Sequence, residues 1–208
     1  MNRNGDCNMR LVAFGAALAV TGLAACEPFE FNDLTTEDAA FTALQDETAL
    51  IAEELESYAV TPVANIPVTG SAAYSGTALI ALDTPDRASE LIGTATLVAE
   101  FGTGADTLTG TLDGFYGTIN GGDVDSFDGE IDLTSGRIDR TDTTVIAAAA
   151  DGTLRSDTDT LNVGADLDGN FLGLTPEGLS LVSNDDSVFR LNGSTVSGSE
   201  MEVLGLRD

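Results

Sequence analysis

The 208-residue chain has no histidine, no tryptophan and no lysine, and only two cysteines, Cys7 and Cys26. Without an imidazole, the Ser/His/Asp and Cys/His nucleophile systems and the common zinc sites have no donor set. Every one of the 8 basic residues is an arginine, set against 35 acids, for a net charge of −27. A surface this negative repels phosphate backbones, which argues against a nucleic-acid partner. Acidity without lysine also suits a surface adapted to salty water, where screening over roughly 10 Å reduces self-repulsion. Aromatic residues make up 6% of the chain, too few for the stacking platforms of a sugar cleft. Paired carboxylates of the glycosidase type are therefore a poor fit, and the chain is expected not to be an enzyme and to need no cofactor.

The opening segment is what an export signal requires. Arg10 precedes the apolar run Leu11-Val12-Ala13-Phe14-Gly15-Ala16-Ala17-Leu18-Ala19-Val20, and Leu23-Ala24-Ala25-Cys26 follows. That run falls short of the ~20 apolar residues needed to span a bilayer, so it reads as the h-region of a signal. Leu-Ala-Ala-Cys resembles the lipobox of bacterial lipoproteins. The resemblance implies cleavage after Ala25 and acylation of Cys26, leaving 34 acids against 6 arginines, a net −28. Met1 and Met9 are both possible starts and give the same mature product. Acyl chains contribute ~0.8 kcal/mol per buried CH₂, so two or three of them hold a protein domain at a membrane.

The expected organisation is a signal peptide at 1–25, a tether at 26–34, an amphipathic helix at 35–61 and a β domain at 62–208. Thr35-Thr36-Glu37-Asp38 supplies capping hydroxyls followed by acids suited to the positive end of a helix dipole. Phe41, Leu44, Leu50, Ile51, Leu55 and Tyr58 then recur at helical offsets and give one apolar stripe, which is expected to pack on the domain that follows. A helix ending near Thr61-Pro62 is the consequence.

From Val68 the period changes to two. Val68, Ala72, Tyr74, Ala78, Ile80 and Leu82 share one face; Leu91, Ala95, Leu97, Ala99 and Phe101 repeat it. Leu108 and Leu112 follow, then Phe127, Ile131 and Leu133 with Asp128, Glu130 and Asp132 opposite. Further strands are predicted at 143–150, 154–165, 171–172, 179–182, 188–191 and 201–206. Turns are predicted at Thr84-Pro85-Asp86, Gly102-Thr103-Gly104, Asn120-Gly121-Gly122, Ser135-Gly136, Asp151-Gly152, Asp168-Gly169-Asn170, Pro176-Glu177-Gly178 and Asn184-Asp185-Asp186. About eight strands with short connections and no helical crossover give an all-β fold, an antiparallel up-and-down meander that closure into a barrel would rid of exposed edges. The predicted outward faces carry Asp, Thr and Ser, where a membrane-spanning barrel would carry an apolar band.

Val68-Thr69-Gly70-Ser71-Ala72-Ala73-Tyr74-Ser75-Gly76-Thr77-Ala78, Gly93-Thr94-Ala95-Thr96-Leu97 and Leu108-Thr109-Gly110-Thr111-Leu112-Asp113-Gly114-Phe115 resemble the β-barrel domain of transferrin-binding protein B-like lipoproteins. Gly169-Asn170-Phe171-Leu172-Gly173 and Leu191-Asn192-Gly193-Ser194 sit where that family has its closing glycine-aromatic segments, with Leu172 in place of an aromatic. The chain has one barrel-sized region and no handle domain. The resemblance implies a small eight-stranded barrel held at the outer membrane, displayed at the cell surface, that binds a protein or solute through its loops.

Two further readings complete the expectations. Asp166, Asp168, Asn170 and Glu177 occupy positions one, three, five and twelve of an EF-hand-like calcium loop, but Phe171 stands where the turn requires glycine. An alternating face across a hairpin gives the same spacing. The alternative to a binding module is an envelope-maintenance lipoprotein without a specific ligand, in which the helix covers one end of the barrel.

Overall fold

A computed structural model describes residues 35–84, 87–102, 106–141 and 145–208. The signal segment and Cys26 lie outside the described residues. One helix, α1 (Thr36–Glu56), precedes a short 3₁₀ turn at Val63–Asn65 and eleven strands. These are β1 (Gly70–Leu82), β2 (Ser89–Phe101), β3 (Thr107–Thr118), β4 (Asp125–Phe127), β5 (Ile131–Ile138), β6 (Ile146–Arg155), β7 (Thr160–Leu172), β8 (Gly178–Ser183), β9 (Val188–Leu191), β10 (Ser194–Val196) and β11 (Glu200–Arg207).

The eleven strands make eight staves. β4 and β5 lie end to end along β3, Phe127 opposite Phe115 and Ile131 opposite Leu112. β8 and β9 likewise share the edge of β7, with Ser183 opposite Leu167 and Val188 opposite Gly164. β10 and β11 form the last stave, and β11 pairs with both β8 and β1. Each pairing is antiparallel, so the chain goes up and down around a closed eight-stranded barrel, as the two-residue alternation predicts.

The alternating residues fill the interior. Tyr74, Ile80, Leu91, Leu97, Leu108, Leu112 and Ile131 are fully buried, with Phe115, Phe171 and Phe189 among them. Asp128, Glu130 and Asp132 face water opposite Phe127, Ile131 and Leu133. An apolar inside and a polar outside is the reverse of a barrel immersed in lipid. Small residues let the staves approach closely: a Cβ on Gly76 would run into the Leu204 carbonyl across the β1–β11 pair.

Five predicted features differ in the structure. Val68 precedes β1 and is 66% exposed, because the strand begins only at Gly70. Asp151-Gly152 and Asp168-Gly169-Asn170 are not turns but run inside β6 and β7. The predicted strand 154–165 is broken by a turn at residues 156–159. Ser135-Gly136 is a bulge within β5: Ser135 has φ +55°, and the β5–β6 register slips between Thr134 and Arg137.

The helix forms where its cap was read. Thr35 accepts from the Asp38 N–H at 3.1 Å, and the Asp38 carboxylate accepts from the Thr35 N–H at 3.0 Å, a reciprocal capping box. Thr35→Ala should lower the stability of the fold by about 1 kcal/mol in a denaturant melt, whereas Thr35→Ser should be nearly neutral. α1 ends at Glu56, short of Thr61-Pro62, and Leu50 is 68% exposed, so the buried stripe is Leu44, Ile51 and Leu55.

That stripe lies against the outer wall. Ile51 and Leu55 pack with Leu204, flanked by Leu172 and Leu206, and Gly178 leaves room for Leu55. The hydroxyls of Thr48 and Thr77 of β1 are hydrogen-bonded at 3.0 Å, which accounts for the burial of that outward-facing threonine. The helix therefore does not cover a barrel end. The segment after it does: Thr61 donates its N–H to Phe171 and its hydroxyl to Gly173, Val60 bridges Leu172, and Ile66 joins the interior core.

Candidate functional site

The interior offers a ligand no unpartnered polar side chain among the described residues. Its lining is apolar, and no buried side-chain nitrogen or oxygen among the described residues lacks a partner. The phenol of Tyr74 is buried; it donates to the Pro176 carbonyl at 3.2 Å, and burial pushes its pKa up to about 12. The charged side chains of the barrel lie on its exterior and its rims.

One rim is pinned. Arg140, in the β5–β6 connection, donates through Nε to Asp106 at 2.6 Å and through its two terminal nitrogens to the carbonyls of Ile66 and Pro67. Asp106 also accepts from the Gly102 N–H at 2.7 Å. The Arg140 hydrogen bond, with help from Gly102 and the nearby positive charge, holds the Asp106 carboxyl below the usual range despite its burial. This is the one ion pair among the described residues. It fastens the segment leading into β1 across the β2–β3 and β5–β6 ends, so it serves closure of the barrel.

The calcium-loop candidates are not brought together. Asp166, Asp168 and Asn170 follow one another along extended β7, where alternate residues stand two steps of ~3.3 Å apart. Asp168 accepts from the Asn184 amide at 2.9 Å, and Asn170 accepts from the Val145 N–H at 3.4 Å. Glu177 sits in the β7–β8 turn and accepts from the Leu174 N–H at 3.0 Å. Phe171, the residue in the glycine position, points into the core. Among the described residues no three acidic or cysteine side chains gather as a metal would need.

Two recesses meet on the outside. The first, about 470 Å³, lies between α1 and the ends of β1 and β2, with Phe41, Gln45, Leu82, Asp83, Glu90 and Glu200 in its lining. The second, about 510 Å³, opens where the last two staves bow apart, between residues 184–187 and 197–199, over Phe189 and Val196. Gly198 and Glu200 line both, so the two recesses are adjacent. Asp83, Glu90, Asp185 and Glu200 line them, and among the described residues no arginine does. Next along β11, half-burial and the neighbouring Glu200 raise the pKa of Glu202, as expected where acids crowd without a counter-charge.

Sequence reasoning did not single out these recesses. The signal that pointed there was Asn192-Gly193, the strongest short hairpin signature, which closes β9 onto β10 with Asn192 at φ +50° and Gly193 at φ +80°. No family model, curated protein or solved structure matches the chain.

Proposed function

We propose that this chain is a lipoprotein of the bacterial outer membrane, anchored through acylated Cys26, whose barrel is a non-catalytic binding module for a protein or solute. The observation that carries the binding role is the contrast between an apolar interior and a polar outer wall with two adjacent recesses. Such a barrel offers its outside, where a tethered domain meets other molecules. The resemblance to transferrin-binding protein B-like lipoproteins supports the same reading, as does the order of charge, apolar run, small residues and cysteine ahead of Glu27. Among the described residues no helix is long and apolar enough to cross a membrane.

The test is metabolic labelling with tritiated palmitate in a bacterial host, followed by fractionation. Wild-type protein should carry label and sediment with the outer membrane; Cys26→Ser should carry none and appear in the soluble fraction. Equal partitioning of the two would overturn the anchor. Protease shaving of intact cells then reads the face: cleavage means surface display, and full protection means a barrel facing the periplasm.

A further inference from the structure

The wall of the barrel splits between its last two staves, and hydroxyl side chains line the split. The ladder there runs from Leu206–Gly178 to Glu202–Val182 and resumes at Val196–Phe189, one register step out of phase. Between those pairs the two staves part, which leaves the recess of about 510 Å³ over Phe189 and Val196. One lip, residues 184–187, is fixed from behind. The Asn184 N–H donates to the Asp166 carbonyl at 2.9 Å, Ser187 accepts from the Asp166 N–H at 3.1 Å, and the Asn184 amide oxygen accepts from the Asp186 N–H at 3.1 Å. The other lip turns at Gly198, with φ +77°, between Ser197 and Ser199. Both lips are held by the fold itself, so little ordering is left for a ligand to impose.

We propose that this recess binds a sugar unit through the ligand's hydroxyl groups. The bonds within the lining fix what each group has left to offer. Ser183 accepts from the Met201 N–H at 2.8 Å, which leaves its O–H to donate. Ser199 spends its proton on the Val196 carbonyl at 3.3 Å and keeps lone pairs to accept. Asp185 and Glu200, one on each side, accept only when ionised. The recess therefore suits a ligand that donates several hydrogen bonds and accepts a few, as neighbouring hydroxyls on a sugar ring do. Bonds from O–H to carboxylate are of the strong, charge-assisted kind. An anion is repelled by the two carboxylates, and an apolar ligand would take water from the serines and return no bond. A simple diamine would satisfy the carboxylates and leave the Ser183 proton without an acceptor. The volume lies within the range of about 300–1,000 Å³ of small-molecule sites. Phe189 is 1% exposed, so it floors the recess and offers no ring face for stacking. Hydrogen bonds then carry the affinity, with a Kd on the order of 1 mM. This proposal rests on the reading of the barrel as an exterior binding module and names the ligand class for it.

The experiment is saturation-transfer difference NMR on the full chain, purified in a polyoxyethylene detergent that carries no sugar. The probes are the methyl glycosides of glucose, galactose, mannose and N-acetylglucosamine. At least one should receive transfer that saturates with concentration, and should move the backbone amide signals of residues 183–187 and 195–200 in a proton–nitrogen correlation spectrum. Asp185→Asn combined with Glu200→Gln should weaken binding about tenfold or more, because each amide keeps the shape and loses the charge-assisted bond. Glu100→Gln combined with Asp132→Asn makes the same change of charge at exposed positions of β2 and β5 and should bind like wild type. Salt should change the affinity little, since the glycosides are neutral. No saturable transfer to any of the four, signals moving elsewhere, or undiminished affinity in the recess variant overturns the site. Putrescine binding where no glycoside does, with an affinity that falls in salt, also overturns it and would mean attraction of cations only. The signal mapping uses wild-type protein, so it decides the matter even where the recess variant fails to fold. Palmitate labelling of Cys26 is read separately, which distinguishes a failure of the recess from a failure of the anchored-module reading.

Discussion

Phe171→Ala is expected to lower the unfolding free energy by about 3–5 kcal/mol, the cost of deleting a buried aromatic side chain that its surroundings cannot replace. Phe171 is 1% exposed, with its ring centroid 5.9 Å from those of both Tyr74 and Phe101. Its carbonyl accepts from Thr61, so the cavity would open beneath the segment that crosses the barrel end. A domain of this kind is stable by roughly 5–15 kcal/mol, so the variant should show a much earlier denaturant midpoint by far-UV circular dichroism. Phe171→Leu should lose clearly less, because a smaller void remains. A loss under about 1 kcal/mol for the alanine variant would mean that the interior is loosely packed, and the case for recognition on the outside would fall with it.

Arg140→Ala should cost about 2–3 kcal/mol. Removing one partner of a buried ion pair generally costs 3–5 kcal/mol, and the lower figure applies here because the Arg140 side chain is 25% exposed. The substitution leaves Asp106, whose side chain is 7% exposed, without its cation and strips the Ile66 and Pro67 carbonyls of a donor. The pH dependence has a definite sign. Because the folded Asp106 carboxyl titrates below the unfolded value of about 3.9, the unfolded chain binds the proton first on acidification. The contribution is therefore complete above that unfolded value and is lost as pH falls through the folded one. Melting temperatures recorded from neutral pH downward should show the wild type and Arg140→Ala converging in acid. Parallel curves across that range would show that the pair adds nothing. Glu202 works in the opposite direction: its raised folded value favours the folded state below the unfolded glutamate range and ceases to as pH rises through it. Removing Arg140 should leave that second limb unchanged.

The two predicted turns that prove to be mid-strand share a cause. Glycine is read as a turn residue because it admits positive φ, but it also serves where two backbones come too close for a Cβ. Gly121 and Gly193 are the first kind, at φ +66° and +80°. Gly152 and Gly169 are the second: a Cβ on either would run into a carbonyl of the neighbouring strand, that of Glu130 or Ser180. The Asp-Gly pairs at 151–152 and 168–169 thus look like turns in the sequence and lie in mid-strand in the fold. The calcium-like spacing of Asp166, Asp168 and Asn170 fails for the same reason, since alternate residues of a strand line up along one face and do not converge.

By itself the sequence determined the alternation that builds eight staves, the capping hydroxyls ahead of the helix, most of the helix's apolar face and the sign of the surface. Each depends on residues close together in the chain, so local periodicity suffices. Only the tertiary structure decided that α1 lies along the wall, that Arg140 ties the 66–67 carbonyls to Asp106, and that the last two staves bow apart between residues 184–187 and 197–199. Those follow from where distant strands stop relative to one another. Strand ends are set by packing and register around a closed ring, which no window of neighbouring residues contains.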